Sequence, residues 1–305
     1  MKAVVRISDG LGNQLFQYAF GYAYARKKGC ELLLDPLFWG NSLRKYQLEE
    51  FHIECQRRFV SKTWDYILGF GPRNARKFKA WYREWKIKKF YHIENEKNLM
   101  SYDASVFELE KDTFFQGFWQ TSLYFDEYYE DIKKQFTYKG ELSGKTKQYE
   151  AEMKKSISVS LHIRRTDYNR EVNNVCLNEK FYERAIFEMK QKLGDFKLYI
   201  FTDDKEFVKE TFHLYEYTIV EGVADIEEFQ LMQVCKHHII ANSTFSWWGA
   251  YLAEEKGGIV YAPLADIWTS EFYPKDFLSC ATSTATFLAT VPTSCSSFLT
   301  PASLV

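Results

Sequence analysis

Residues 3–36 read AVVRISDGLGNQLFQYAFGYAYARKKGCELLLDP and contain the parts of a βαβ unit in order. The segment 3–7 is apolar and rich in β-branched residues, as in a buried strand, and it ends at the turn-forming cluster DGLGN, residues 9–13. Apolar residues then recur at spacings of three and four, the period of an amphipathic helix: Leu15, Tyr18, Ala19 and Tyr22. A second strand-like segment follows at 31–36. This order predicts a parallel sheet.

The second half of the chain repeats the alternation of strands and helices. Strand-like segments lie at 157–163, 197–201, 238–240 and 258–263, and helical patterns lie at 179–192, 227–236 and 246–255. A polar, lysine-rich segment at 138–155 is interpreted as a linker. The pattern predicts an α/β protein with two Rossmann-like domains facing across a cleft, residues 1–150 and 151–278. Residues 279–305 carry no charge and are rich in serine and threonine, so they are interpreted as an appendage, disordered or foreign to the fold.

The composition is that of a globular protein. The chain has 305 residues, of which 46% are hydrophobic and 27% charged, and its formal net charge is −1. Such a charge argues against a nucleic-acid-binding protein that depends on a global positive field. Six scattered cysteines without a C-x-x-C pair predict reduced thiols. Because neither a secretory leader nor a run of about 20 apolar residues is found, we expect a cytoplasmic protein, soluble or peripheral at the inner face of the membrane.

The segment 56–91 is basic and aromatic and allows two interpretations. Four of its aromatic residues recur at the period of a helix: Phe78, Trp81, Tyr82 and Trp85. The favoured interpretation is a solvated basic helix whose aromatic stripe packs against the protein. The alternative is a surface for an anionic membrane or for a lipid-linked acceptor.

Two adjacent arginines follow the first strand of the second half, in the segment HIRRTD at 162–167. Ligands of open α/β sheets bind beyond the carboxyl ends of the strands, which is where Arg164 and Arg165 lie. The planar guanidinium group bonds two phosphate oxygens at once and keeps its charge, so the pair suits a diphosphate. A surface pair of arginines that forms a salt bridge with Asp167 is the plainer alternative.

Two further segments have the chemistry of an anion site, although each also has a plainer explanation. Residues 242–249, NSTFSWWG, open a helix after a short strand, so hydroxyl and backbone N–H groups meet at a helix N-terminus. N-capping by Ser243 or Thr244 explains the same residues. The glycines of DGLGN let a ligand approach the backbone closely, but they also suit a tight turn. The pair at 203–204 lacks the D-x-D spacing of metal-dependent transferases, so no metal is expected.

Four motifs in this order resemble the bacterial α-1,2-fucosyltransferases of glycosyltransferase family 11. They are GLGNQLFQYAFG at 10–21, HIRRTD at 162–167, FTDD at 201–204 and ANSTFSWWGA at 241–250. The resemblance implies a GT-B fold with the acceptor domain first and the donor domain second. It also implies inverting, metal-independent transfer of L-fucose from GDP-β-L-fucose to the 2-hydroxyl group of a terminal galactose. The expected acceptor is a galactose-terminated oligosaccharide or a lipid-linked glycan such as an O-antigen repeat.

The same resemblance implies roles for individual residues. The catalytic residues would be Arg164, which grips the β-phosphate, together with Asp167 and Asn13. His162 would hold the guanine end of GDP-fucose, and Glu228 or Glu227 would meet the edge of the base. The full set expected to bind the donor is Gly10, Gly12, His162, Arg164, Arg165, Asp203, Glu228, Ser243, Thr244 and Ser246, without a metal or cofactor.

The chain departs from the family pattern at Asp9 and at Thr166, where the family often has glycine. These departures leave open the shape of both loops and the use of Asp9 as a base, and no general base is assigned. Two alternative functions also stay open. One is a GDP-fucose-dependent transferase of α-1,6 or α-1,3 linkage, and the other is a catalytically silent module that binds a GDP-sugar.

Overall fold

The structure is a computed structural model that describes most of the chain. The described residues are 1–36, 45–55, 59, 73–165, 176–254, 257–263 and 285–288, of which 73–80 and 285–288 are described by their backbone alone.

The first half forms a four-stranded parallel sheet covered by helices on both faces. Its elements are β1 (Lys2–Ile7), α1 (Leu11–Lys28), β2 (Glu31–Pro36), α2 (Arg73–Phe90), β3 (His92–Asn95), β4 (Thr113–Gln116) and α3 (Tyr129–Gln135). The strand order is β2-β1-β4-β3. Helix α1 packs in the core that contains Val5 and Phe115, whereas Ile87 of α2 packs with Val4 and Phe114. Because successive residues of a strand point to opposite faces, α1 and α2 cover opposite faces of this sheet.

The second half forms a six-stranded parallel sheet with the order β10-β9-β8-β5-β6-β7. Its elements are α4 (Gly144–Met153), β5 (Ser158–Ile163), α5 (Glu179–Leu193), β6 (Lys197–Thr202), α6 (Lys205–Thr211), β7 (Tyr217–Ile219), α7 (Asp225–Val234), β8 (His237–Ile239), α8 (Thr244–Tyr251), β9 (Val260–Pro263) and β10 (Ala285–Leu288). Strand β5 lies inside this sheet, and all six of its residues are buried. The fold is therefore α/β with two parallel sheets, which is the GT-B arrangement, and the expected fold class is confirmed.

An aromatic core joins the two halves. Phe16 of α1 lies 4.6 Å from Trp247 and 4.8 Å from Trp248 of α8, measured between ring centroids. Phe125 also stacks on Trp248 at 5.4 Å. These residues belong to one continuous buried cluster that extends from Ala3 to Ala262. Helix α8 of the second half is thus packed directly on the first helix of the chain.

Three segments differ from the sequence-based expectations. The linker interpretation of 138–155 is wrong, because most of this segment is the helix α4, whose Met153 is buried in a core with Tyr199 and Leu231. The boundary expected at residue 150 lies inside that helix. Residues 285–288 of the expected appendage form β10, which pairs in parallel with β9, so this part of the tail extends the second sheet.

The favoured interpretation of the aromatic stripe is also wrong for the side chains that the structure describes. Trp81, Tyr82 and Trp85 are 59%, 43% and 39% exposed. The opposite face of α2 is the buried one, because Arg83 forms an ion pair with buried Asp35. The side chain of Phe78 lies outside the described residues. Within the part of the chain that the structure describes, no helix is both long and apolar enough to cross a bilayer.

Candidate active site

Two helix N-termini meet between the sheets. Helix α1 begins after Gly10 and α8 begins after Ser243, and neither helix has a side-chain cap or an acidic residue in its first turn. A Cβ atom placed on Gly12 would lie 2.5 Å from the Thr244 hydroxyl oxygen and 2.7 Å from the Phe245 backbone nitrogen. The first turns are therefore in direct contact. Uncapped N–H groups and the positive ends of two helix dipoles together favour an anion at this point.

Asn13 links the two first turns by hydrogen bonds. Its Oδ1 accepts one hydrogen bond from the Thr244 hydroxyl group at 2.9 Å and another from the Gln120 side-chain amide at 2.9 Å. Trp248 also donates from its indole nitrogen to the Gly12 carbonyl oxygen at 3.0 Å. With Oδ1 accepting from two donors, the side-chain NH₂ group is what Asn13 offers to a ligand.

Gln120 lies on a loop that the half-buried Glu96 carboxyl group holds in place. Glu96 accepts a hydrogen bond from the Phe118 backbone N–H at 2.7 Å, and a Cβ atom on Gly117 would lie 2.5 Å from Glu96 Cβ. Burial raises the pKa of the Glu96 carboxyl group, although backbone N–H groups of the loop act in the opposite direction. Trp119 adopts a left-handed backbone with φ of 57°. Glu96 and Gln120 were not identified from the sequence, where neither lies in a recognisable motif.

Two buried glutamines of α1 fix the turn that precedes it. Gln14 donates from Nε2 to the carbonyl oxygens of Asp9 and Lys45, each at 2.8 Å. Gln17 accepts from the Ser8 backbone N–H at 2.8 Å and donates to the Gly117 carbonyl oxygen at 3.0 Å. The signal in the sequence was a pair of polar residues inside an otherwise apolar helix. Asp9 itself is exposed and has φ of 65°, a backbone conformation that glycine adopts without strain.

Arg164 is held by a carboxylate from the neighbouring strand. Strands β5 and β6 pair so that Ile163 lies opposite Thr202, and their carboxyl ends are therefore side by side. Arg164 Nε lies 3.4 Å from Asp203 Oδ2, and the Arg165 backbone N–H donates to Asp203 Oδ1 at 2.9 Å. The Arg164 side chain remains 25% exposed. Asp203 thus positions the start of the loop that follows β5 and begins with Arg164 and Arg165, which we call the arginine loop.

Arg165 has partners on two sides within the protein. Its Nε lies 3.3 Å from Asp204 Oδ2, and its guanidinium carbon lies 3.8 Å from the ring centre of Phe207. Asp204 in turn caps α6 by accepting from the Phe207 backbone N–H at 3.0 Å. These contacts favour support of the loop as the role of Arg165, over contact with phosphate.

The arginine loop and α8 emerge at the same edge of the second sheet. Leu161 of β5 lies opposite Ile239 of β8, so Arg164 and Ser243 follow adjacent strands at their carboxyl ends. His162 is buried on β5, with its ring centroid 5.8 Å from that of Phe245 in α8. The two motifs that are far apart in the sequence thus converge at the edge where α/β sheets bind ligands.

The adjacent glutamates of α7 have different environments. Glu227 is buried and accepts from the backbone N–H groups of Ser143 at 2.5 Å and Ala224 at 3.1 Å. Burial alone would raise its pKa, but these hydrogen bonds outweigh burial and lower it. For Glu228, burial and the nearby Asp225 carboxylate raise the pKa to about 7. Glu227 therefore stabilises the start of α7, and Glu228 is the better candidate for binding a ligand.

Of the remaining expected site residues, Gly10 lies at the start of α1, and Ser243 and Ser246 lie at the start of α8. Gly10 lies at the start of α1 with open space around its Cα, since a Cβ atom there would meet nothing within 4 Å. Ser243 does not cap α8 with its side chain, so the N-capping alternative does not describe it. The buried Ser246 donates its hydroxyl to the Ser243 carbonyl oxygen at 3.2 Å, a bond within the helix. Thr166 and Asp167 lie outside the described residues.

The carboxylates of Asp203 and Asp204 at this edge of the sheet form ion pairs with Arg164 and Arg165. Asp203 contacts the Arg164 guanidinium group and the Arg165 backbone N–H, and Asp204 contacts the Arg165 guanidinium group. Among the described residues, no group of three or more His, Cys, Asp or Glu side chains is placed to hold a metal ion.

Known proteins resemble the chain over most of its length. The family model for glycosyl transferase family 11 matches residues 3–276. The α-1,2-colitosyltransferase of Escherichia coli is 31% identical over 271 residues, covering 85% of this chain and 90% of that protein. The O-antigen biosynthesis glycosyltransferase WbnK of Escherichia coli is 28% identical, covering 84% of this chain and 92% of its own length. Among solved structures, the fucosyltransferase NodZ from Bradyrhizobium is 15% identical with a TM-score of 0.46, covering 83% of this chain and 92% of that one.

The family match covers the first sheet from Ala3 onward, strands β5 to β9 of the second sheet, helices α1 and α8, and the pair Arg164 and Arg165. The order of motifs, their convergence at one edge and the match over residues 3–276 agree. The chain belongs to glycosyltransferase family 11.

Proposed function

We propose that the protein transfers L-fucose from GDP-β-L-fucose to the 2-hydroxyl group of a terminal galactose, with inversion and without a metal. The observation that carries this proposal is the contact between the uncapped N-termini of α1 and α8, at the edge where Arg164 emerges. Such a site binds a diphosphate without a metal ion, because backbone N–H groups and a guanidinium group supply the compensating positive charge.

In the proposed reaction, the bond between fucose C1 and the β-phosphate oxygen breaks, and the acceptor 2-hydroxyl oxygen forms the new bond to C1 from the opposite face. Negative charge grows on GDP as it leaves. Arg164 and the N–H groups of the two first turns stabilise that charge, and the Asn13 NH₂ group donates to a phosphate or acceptor oxygen. The acceptor hydroxyl proton passes to a base or to solvent. Leaving-group stabilisation is thus the main contribution of the described residues.

The direct test is incubation with GDP-fucose and lactose, with and without EDTA. We expect GDP release to equal the amount of fucosylated lactose formed, with no effect of EDTA, and NMR of the product to show an α-1,2 linkage. An α-1,6 or α-1,3 product would overturn the proposed linkage. Loss of activity with EDTA would overturn the metal-free mechanism, and GDP-fucose binding without transfer to a panel of β-galactosides would favour a silent binding module.

A second candidate donor is GDP-colitose. The relative that is 31% identical is named a colitosyltransferase, and colitose is fucose without its 3-hydroxyl group. Both nucleotide sugars offer the same diphosphate to the abutting helices, so the site described above suits either. Parallel assays with the two donors at equal concentration compare kcat/KM, and a preference for GDP-colitose would change the proposed donor while leaving the linkage unchanged.

Within this proposal, Glu228 binds the guanine edge as a carboxylate, which makes GDP binding depend on pH. The pKa of Glu228 is about 7 in the protein without a ligand, and guanine N–H groups donate best to the ionised form. GDP affinity should therefore rise with pH between 6 and 8. Titration calorimetry should show that Glu228→Gln lowers GDP affinity about tenfold at pH 8 and much less at pH 6.

Comparing wild type with Glu228→Gln at each pH cancels the part of the pH dependence that comes from titration of GDP itself. The phosphate groups of GDP also titrate near neutral pH, but they do so equally with both proteins. Glu206→Gln, an exposed position on α6, is the matched control and should bind GDP as the wild type does at both pH values. An identical pH dependence in wild type and Glu228→Gln would show that Glu228 does not contact the base.

A further inference from the structure

The exposed face of α2 combines aromatic rings with lysines. This aromatic-basic face consists of Trp81, Tyr82, Trp85, Lys88, Lys89 and Phe90, all of which are exposed. At 100° per residue, the first five lie within an arc of about 120°, opposite the buried Arg83 and Ile87. These five residues therefore point away from the side of α2 on which Arg83 and Ile87 are buried.

The rings and ammonium groups of this face are in contact with one another. Tyr82 and Trp85 stack with ring centroids 5.8 Å apart, and Phe90 lies 5.8 Å from Trp85. The Lys89 ammonium group lies 4.8 Å from the centre of the Trp85 ring and 5.3 Å from that of Phe90. Large aromatic rings interleaved with lysines are typical of groups that sit at the boundary between water and acyl chains.

The charge of α2 is opposite to that of the rest of the protein. The helix has eight basic residues and one acidic residue, a net charge of +7, whereas the whole chain has −1, so the remainder carries −8. An isologous contact with a second copy would place two such helices against each other, and their like charges would repel. A surface of anionic phospholipids has the complementary charge and also accepts the aromatic rings.

We propose that the aromatic-basic face of α2 seats the protein on an anionic phospholipid bilayer. The rings of Trp81 and Trp85 enter the headgroup region while Lys88 and Lys89 pair with lipid phosphates. Membrane binding by this face does not depend on which donor or acceptor the enzyme uses. It replaces the interpretation in which this stripe packs inside the protein.

The test is flotation of the full-length protein with vesicles. Wild type should bind vesicles of 70% phosphatidylcholine and 30% phosphatidylglycerol, and bind pure phosphatidylcholine at least about tenfold more weakly. Raising the salt from 0.1 M to 0.5 M should weaken the binding, because screening shortens the reach of the lysines. In vesicles with brominated acyl chains, tryptophan fluorescence should be quenched in wild type and much less in Trp81→Ala/Trp85→Ala.

Matched variants distinguish the contribution of this face to vesicle binding from the effects of net charge and of exposed apolar side chains elsewhere. Trp81→Ala/Trp85→Ala and Lys88→Glu/Lys89→Glu should each lower binding to the anionic vesicles at least about tenfold. Lys147→Glu/Lys155→Glu makes the same change in net charge on exposed residues of the second half and should bind nearly as wild type. Phe187→Ala/Leu214→Ala is the corresponding control for exposed apolar side chains.

Circular dichroism and Tm should be unchanged in all four variants, since the substituted residues are exposed. Wild type that fails to float with the anionic vesicles would overturn the proposal. So would equal losses in the control variants. Sedimentation velocity then identifies the alternative occupant, since a dimer that requires Trp81 and Trp85 would assign this face to a second copy.

Discussion

Arg164→Ala should lower kcat by at least about a hundredfold, because a charged donor to the departing phosphate is expected to stabilise the transition state by roughly 3 kcal/mol or more. The arginine lies at the carboxyl end of β5, where Asp203 fixes the guanidinium group through Nε. Initial rates of GDP release with saturating GDP-fucose and lactose measure the loss. Arg164→Lys should recover only part of it, since an ammonium group keeps the charge but not the planar fork.

The control for this prediction is an arginine with a similar ion pair at a distance from the site. Arg184 contacts Glu188 at 3.0 Å on the exposed side of α5, and Arg184→Ala should leave kcat within about twofold of wild type, because exposed ion pairs contribute little. If Arg164→Ala retains near wild-type kcat while its Tm is unchanged, the assignment of Arg164 to the leaving phosphate is wrong.

Gly12→Ala should destabilise the protein by about 3 kcal/mol, the upper part of the range of about 1–3 kcal/mol for overpacking, because the new methyl group meets backbone atoms. The new methyl group would lie 2.6 Å from the Thr244 carbonyl carbon and 2.7 Å from the Phe245 nitrogen, so the backbones of α1 and α8 would have to move apart. At about 2–4 °C per kcal/mol for a chain of this size, Tm falls by roughly 6 °C or more. Activity should fall as well, because the two first turns no longer meet.

Gly10→Ala, two residues away, is the matched control. Gly10 has φ of −68°, which alanine adopts without strain, and no atom lies within 4 Å of its Cβ position. Its Tm should stay within about 2 °C of wild type, consistent with the small effects of unstrained Gly→Ala changes. Equal stability of Gly12→Ala and Gly10→Ala, measured by calorimetry, would contradict the close approach of the two helices.

The parts of the fold that the sequence predicted are those with a strong local pattern. The βαβ unit at 3–36 matches β1, α1 and β2, and the arginine loop directly follows β5. By contrast, β3 reads HIEN and is only partly buried, so it lacks the apolar alternation by which strands are recognised. A four-residue edge strand of this kind is determined by its pairing with β4, which no local pattern records.

The sequence indicated candidate residues for the site but not how side chains and motifs are arranged in space. Periodicity shows which residues of α2 share a face, but it does not show which face is buried; there an ion pair with Asp35 draws Arg83 inward instead of the tryptophans. The glycine-containing segment at 9–13 and the serine-containing segment at 242–249 were each interpreted separately as a possible anion site. Their contact depends on tertiary packing. Gln120 was recognised as part of the site only from the structure, where its side chain donates a hydrogen bond to Asn13.

The aromatic core that joins α1 to α8 also constrains how the chain folds during synthesis. Asn13 and its partner Thr244 are 231 positions apart, so at about 5–20 residues per second the ribosome needs roughly 10–45 s to supply the second after the first. Phe16 stays without its tryptophan partners throughout that interval, and Phe125 stays without Trp248 from its own synthesis onward. We expect the nascent first half to be a substrate for chaperones that bind apolar surface, and fragments that end before α8 to aggregate.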